Sequence, residues 1–290
     1  MLVDAIRSET WRLARNWTTV LWSVAFLPII GLAMAVIGNL FLKGNAAKIT
    51  VNGETPPEVT QMLTGGPIRV IEEVIANVGA MAGPVVLLFM LIGAATLYSG
   101  DYRWETWRLI TARNSRTNLL LGKVATMGLL ALLAMVVLMA SDIAQIVSKA
   151  VILERPMSWA VDSHAAGRFA GLFGLSWLAI MQFTMVGLLV AVVTRSLLAT
   201  LFVPIVVGAA QTFSPQTLAL MHIAPDDWIA VLINPGTAFG YLKAAVTGGL
   251  AAQGLPDQAV LKGAVSVALN LFLPLLAALA WFKRQDLSKE

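Results

Sequence analysis

The sequence predicts an all-α integral membrane protein with six transmembrane helices and both termini in the cytoplasm. Three observations carry that prediction. Of 290 residues, 58% are hydrophobic and only 12% are charged, with a mean hydropathy of +0.79; a soluble domain usually carries about 25% charged residues. Six runs without a charge follow one another, at 16–42, 74–100, 124–141, 169–194, 196–225 and 263–282, and in lipid such runs satisfy their backbone groups as helices. The basic residues are also unevenly spread. With the N-terminus inside, the inner segments 1–15, 101–123, 195 and 283–290 hold twelve of the 20 Lys and Arg residues. The outer segments hold fewer over a greater length, which is the positive-inside pattern.

Taken in order, residues 2–17 predict an amphipathic helix lying on the inner membrane surface. At 100° per residue, Leu2, Val3, Ile6, Thr10, Leu13, Ala14 and Trp17 fall on one arc; Asp4, Arg7, Glu9, Arg12 and Arg15 fall on the other. Ala5 and Trp11 fit neither arc cleanly. The run 16–42 is followed by no obligatory cleavage: "AMA" at 33–35 imitates a signal-peptide site, but the run continues for about 40 Å of helix, enough to span. Residues 43–73 carry the turn signals "NGETPPE" and "TGGP". The third span is expected to continue past Asp142 to Ser148, and 149–168 forms a polar outer segment. The stretch 226–262 is apolar yet broken at Pro235-Gly236, which predicts short re-entrant helices between spans five and six. No soluble domain and no internal repeat is visible, so residues 1–290 read as one transmembrane domain.

The stretch 101–123 is the most polar interruption of the oily chain, with seven charges. On a helical wheel Trp104, Trp107, Ile110 and Thr111 share one face, suited to the membrane interface. Asp101, Glu105, Arg108 and Ala112 share the opposite face, and Arg113 to Arg116 make a basic turn. A lipid-anchoring loop has no need of that second face, so it is a candidate docking surface for a soluble partner.

Other chemistry is poorly represented. Cysteine is absent, and His164 and His222 lack neighbours at metal-ligand spacing. Gly122-Lys123 is not a phosphate loop, because Thr117 replaces the upstream glycine and Val124 the hydroxyl residue. No G-x-S-x-G elbow occurs. Asp226-Asp227 is read as a solvated helix or loop end. The pI of about 9.6 is accounted for by cytoplasmic loops, not by nucleic acid. Within the spans, Asp142, Gln145, Gln182, Gln211 and Asn270 are polar groups that either bond between helices or line a translocation path.

The segment resembles the cytoplasmic loop of ABC-2 type exporter permeases. Glu105, Thr106, Arg108, Leu109, Ile110, Ser115, Arg116, Leu120, Leu121 and Lys123 match that loop; Arg113 and Asn114 stand where a proline often occurs, and the glycine before Thr106 is missing. The start with Glu9, Arg12 and Arg15 is similar to the family's connecting helix, and "WFKRQDL" at 281–287 resembles its closing pattern. The resemblance implies a six-span permease in a bacterial-type inner membrane, paired with a second copy of itself or a similar permease. It implies a separate ATP-binding-cassette ATPase that carries ATP and Mg, with no cofactor on this chain and no catalysis by it. It further implies that Asp101, Glu105, Arg108, Arg113, Arg116, Glu9 and Arg12 dock or couple the ATPase. Asp142, Gln145, Gln182 and Asn270 are the corresponding candidates for the path of a small or amphipathic substrate. Two alternatives remain open on sequence: a membrane scaffold of a secretion or maturation complex, and a six-span lipid-modifying enzyme.

Overall fold

A computed structural model of the chain describes residues 1–45, 57–103, 107, 111 and 114–285. It is almost wholly helical, and six of its helices are long and apolar enough to cross a membrane. The six are α2 (Trp17–Asn45), α5 (Pro84–Arg103), α6 (Arg116–Ile152), α7 (Ala165–Thr194), α8 (Leu197–Leu220) and α12 (Ala259–Arg284). Around them lie α1 (Leu2–Arg15), α3 (Pro57–Thr64), α4 (Val70–Ala80), α9 (Trp228–Ile233), α10 (Pro235–Thr247) and α11 (Gly249–Gln253). A two-residue parallel bridge, Ile68–Arg69 with Met157–Ser158, was not expected from sequence.

Local chemistry explains the boundaries. Asn16 is the single residue between α1 and α2, and its side-chain oxygen caps α2 by accepting from the Thr19 amide at 3.3 Å. Ser115 caps α6 and Ser196 caps α8 in the same way. Arg195, in the left-handed region at φ 57°, ends α7 and turns the chain within two residues into α8. The run 74–100, read as one span, is broken: α4 stops at Ala80 and α5 starts at Pro84, where proline suits a first helical turn. The third span reaches Ile152, four residues beyond the expected Ser148. Pro235 begins α10, with Asn234 capping the Thr237 amide.

α7 is the centre of the bundle and packs against α4, α5, α6, α8, α10 and α12. Its Ile180, Met185, Leu188 and Val192 meet Met90 and Tyr98 of α5 and Met127, Leu130 and Met135 of α6 in one core. Small residues bring helices close, as expected where lipid supplies no hydrophobic drive between them. A Cβ on Gly93 would lie 2.7 Å from Ser23 Oγ, in the π-turn Leu21–Ala25 of α2. One on Gly171 would lie 2.6 Å from Val246 of α10. The outward faces of α2, α8 and α12 keep large apolar side chains exposed, among them Ile37, Phe202, Phe213, Phe272 and Leu276.

Hydrogen bonds and ion pairs sort the helix ends into two groups. One end joins Met1 to Asn114, Tyr102 to Gln285 and Gln285 to Val192. The other joins Lys43 to Glu154, Arg168 to Glu72 and Lys243 to Gly79. The six long helices therefore alternate in direction.

Candidate functional site

The charged segment that stood out in the sequence begins and ends inside the protein. α1 crosses α6 at Gly122, where a Cβ would lie 2.9 Å from Ala5 Cβ and 3.2 Å from the Ala5 carbonyl carbon. Only glycine permits that approach. Ala5, Glu9 and Leu13, spaced four apart, are the buried stripe of α1. Glu9 thus turns towards the bundle, although the helical wheel put it on the polar arc. The reason is Lys123, the residue after the crossing glycine.

Lys123 Nζ lies 2.6 Å from Asp101 Oδ2 and 3.4 Å from both Glu9 carboxylate oxygens. It also donates to the Leu97 carbonyl at 2.8 Å and sits 5.4 Å from the centre of the Trp107 ring. Arg12 closes the circuit, with Nη1 3.1 Å from Glu9 Oε1 and Nη2 2.9 Å from Asp101 Oδ1. Asp101 is 0% and Lys123 1% exposed. Charges this deep survive only when matched and hydrogen-bonded, and among the described residues two acids face two cations. Desolvation opposes the charge on Arg12, but Asp101 and then Glu9 outweigh it and hold the guanidinium above its ordinary pKa. The cluster fastens α1 to α5 and α6.

A second set of bonds ties the same end to the C-terminal tail. Arg116 Nη1 donates to the carbonyls of Phe282, Lys283 and Gln285 at 3.1, 3.2 and 2.6 Å. The terminal carbonyls of a helix have no partner within it, and a basic side chain suits that end. Tyr102 donates its hydroxyl proton to Gln285 Oε1 at 3.0 Å, and Gln285 Nε2 donates to the Val192 carbonyl. Trp107, placed by the wheel on the membrane face, is instead fully enclosed between Tyr102 and Phe282, with ring centres 5.5 and 4.6 Å away. Glu105, Arg108 and Arg113 lie outside the described residues. The structure therefore brings Glu9, Arg12 and Asp101 together around Lys123, and sets Arg116 beside them on the tail.

The four residues considered for a path do not converge. Asp142 and Gln145 share a cleft of about 190 Å³ with Asn39, Glu73, Asn77 and Lys149, at the opposite end of α6 from Lys123. Asn270 donates to the carbonyls of Leu232 and Ser266, tying α12 to α9. Gln182 alone of the four borders the large cavity, about 930 Å³ between α5, α7, α8 and α10. The cavity wall is mostly apolar. Among the described residues its polar side chains are Gln182, Gln211, Thr212, Asn234, Thr237 and one charge, Lys243. The sequence reading did not single out Lys243, although it is the only charge between Asp227 and Asp257. The cavity occupies the Pro84 end of α5, away from Asp101 at the other end.

Among the described residues no three His, Asp or Glu side chains converge on a metal position. Comparisons with protein-family models, with curated proteins and with solved structures return no match for this chain.

Proposed function

We propose that the chain is the transmembrane permease subunit of an ATP-binding-cassette exporter, driven by ATP hydrolysis on a separate subunit. The end that holds Asp101 and Lys123 faces the cytoplasm of a bacterial-type inner membrane, following the excess of basic residues there. α1 lies along that surface, and α9 to α11 dip into the outer leaflet. Two copies pair around a shared path, and a small or amphipathic substrate leaves through the outer half.

One observation carries this reading. The charged segment is bonded at both of its ends to the elements a coupling device has to move: α1, α5 and α6 through Asp101 and Lys123, and α12 through Arg116. Glu105, Arg108 and Arg113 are the residues of the segment that meet the ATPase. Asp101, Glu9 and Arg12 act one step further in, by passing a displacement of the segment to the spans. Arg116 acts through the tail. The chain itself breaks no bonds; ATP and Mg belong to the partner.

Co-purification tests the proposal. A Walker-type ATPase should bind in stoichiometric amount, with hydrolysis that depends on this chain. Reversing Glu105 and Arg108 together should release it. An ATPase that stays fully bound to that double variant sinks the docking assignment. Arg116 is left out of the variant because its reversal would disturb the tail carbonyls it holds.

A further inference from the structure

We propose that the cavity between α5, α7, α8 and α10 binds a single-chain anionic amphiphile, its head group on Lys243 and its tail along the apolar wall. The first argument is charge. Among the described residues Lys243 is the one charged residue at the cavity, and no carboxylate pairs with it. Its ammonium donates to the Gly79 carbonyl at 2.5 Å, which occupies one of three donors. A partly buried ammonium facing apolar walls calls for a counter-charge.

The second argument is an unmet polar group. Gln182 is 2% exposed, borders the cavity, and its Oε1 has no hydrogen-bond partner. A buried acceptor left unmade is costly and calls for a donor such as water, which marks the cavity as a place that is filled; the anionic head group, itself an acceptor, belongs to Lys243. The remaining surface is oily: Leu88, Leu91, Phe183, Ile205 and Phe239 all border it. A single cation set against a long apolar wall matches an anionic amphiphile. The volume, about 930 Å³, lies near the top of the range of about 300–1,000 Å³ for small-ligand sites, room for a single acyl chain.

The third argument is how α10 is built. Gly236, Gly240 and Lys243 recur at intervals of four and three, and all border the cavity. A Cβ on Gly240 would meet no atom within 4 Å. Gly240 keeps this face open beside the lysine.

A photo-crosslinking experiment tests the site, with the full chain in nanodiscs of neutral phosphatidylcholine and diazirine-tagged palmitate as probe. Crosslinks should map to cavity positions such as Phe183 and Ile205. Unlabelled palmitate should compete at about tenfold lower concentration than methyl palmitate, the scale of one charge-assisted hydrogen bond. Lys243→Gln should erase that difference. Gly240→Phe should abolish labelling while the protein stays monodisperse, since the new ring enters open space. Labels spread over the outward faces of α2 and α12, or equal competition by methyl palmitate, would overturn the proposal. Competition by dipalmitoyl phosphatidate equal to that of palmitate would overturn the single-chain assignment. No ATPase takes part, so failure here leaves the permease reading standing, and failure of that reading leaves this site standing.

Discussion

Replacing Lys123 with methionine keeps an unbranched side chain one atom shorter and removes its charge. Asp101, which is 0% exposed, and Glu9, which is 4% exposed, then lose the cation between them. Removing one partner of a buried ion pair costs about 3–5 kcal/mol. Arg12 still holds Asp101 at 2.9 Å and Glu9 at 3.1 Å, and its side chain is 45% exposed, so the loss belongs at the lower end. The Leu97 carbonyl also loses its 2.8 Å donor, worth about 1 kcal/mol. The expected destabilisation is about 3–4 kcal/mol. Adding Asp101→Asn restores the balance, because Glu9 and Arg12 remain as a matched pair. The double variant should therefore be more stable than the sum of the two single losses by about 2 kcal/mol. Unfolding of the micelle-bound protein in a denaturing-detergent titration, followed by circular dichroism, gives these values. A single-variant loss below about 1 kcal/mol, or strict additivity in the double variant, would refute the reasoning.

Three further outcomes are expected. Gly122→Ala should drive α1 off α6 at a cost of about 1–3 kcal/mol, seen as faster proteolysis within residues 2–15, because the new methyl would lie 2.9 Å from Ala5 Cβ. Arg116→Gln should free the last turn of α12, read as faster amide hydrogen exchange at 282–285 with little change at Ile180, since three carbonyls lose their donor. The chain has no cysteine, so single cysteines at the exposed positions Ser8 and Ser163 report orientation cleanly. An impermeant maleimide added outside intact cells should label Ser163→Cys and spare Ser8→Cys; the reverse result would invert the assignment of sides.

The six long helices were legible because nothing but a helix closes its own backbone bonds over such apolar runs. The break at 81–83 was not, since the charge-free run passes straight through it and only Gly83-Pro84 marks the stop. Glu9 was assigned to the polar arc because a wheel weighs each residue against water. It cannot see Lys123, which is 114 positions away and neutralises it. In the sequence Lys123 matched the cytoplasmic loop that the segment resembles, and Gly122-Lys123 was a failed phosphate motif. Their actual use is a helix crossing followed by a buried countercharge. One signal was available: Asp101 and Lys123 sit at the two borders of a charged segment, each directly against an apolar run. Opposite charges in those positions are candidates to close on one another. The cavity could not be read, because its walls come from four helices whose apolar faces all look alike in sequence.

The length of α6 has a mechanical consequence. Its 37 residues make a rod of about 55 Å, in a hydrocarbon layer of about 30 Å. Asp142 lies about 28 Å along that rod from Lys123. A tilt of about 10° imposed at the Lys123 end carries the Asp142 turn sideways by about 5 Å, close to one helical pitch. The ionic anchor near the start of α6 is thus the fulcrum of any such tilt, and the polar cleft with Glu73 and Lys149 lies where the displacement would be large.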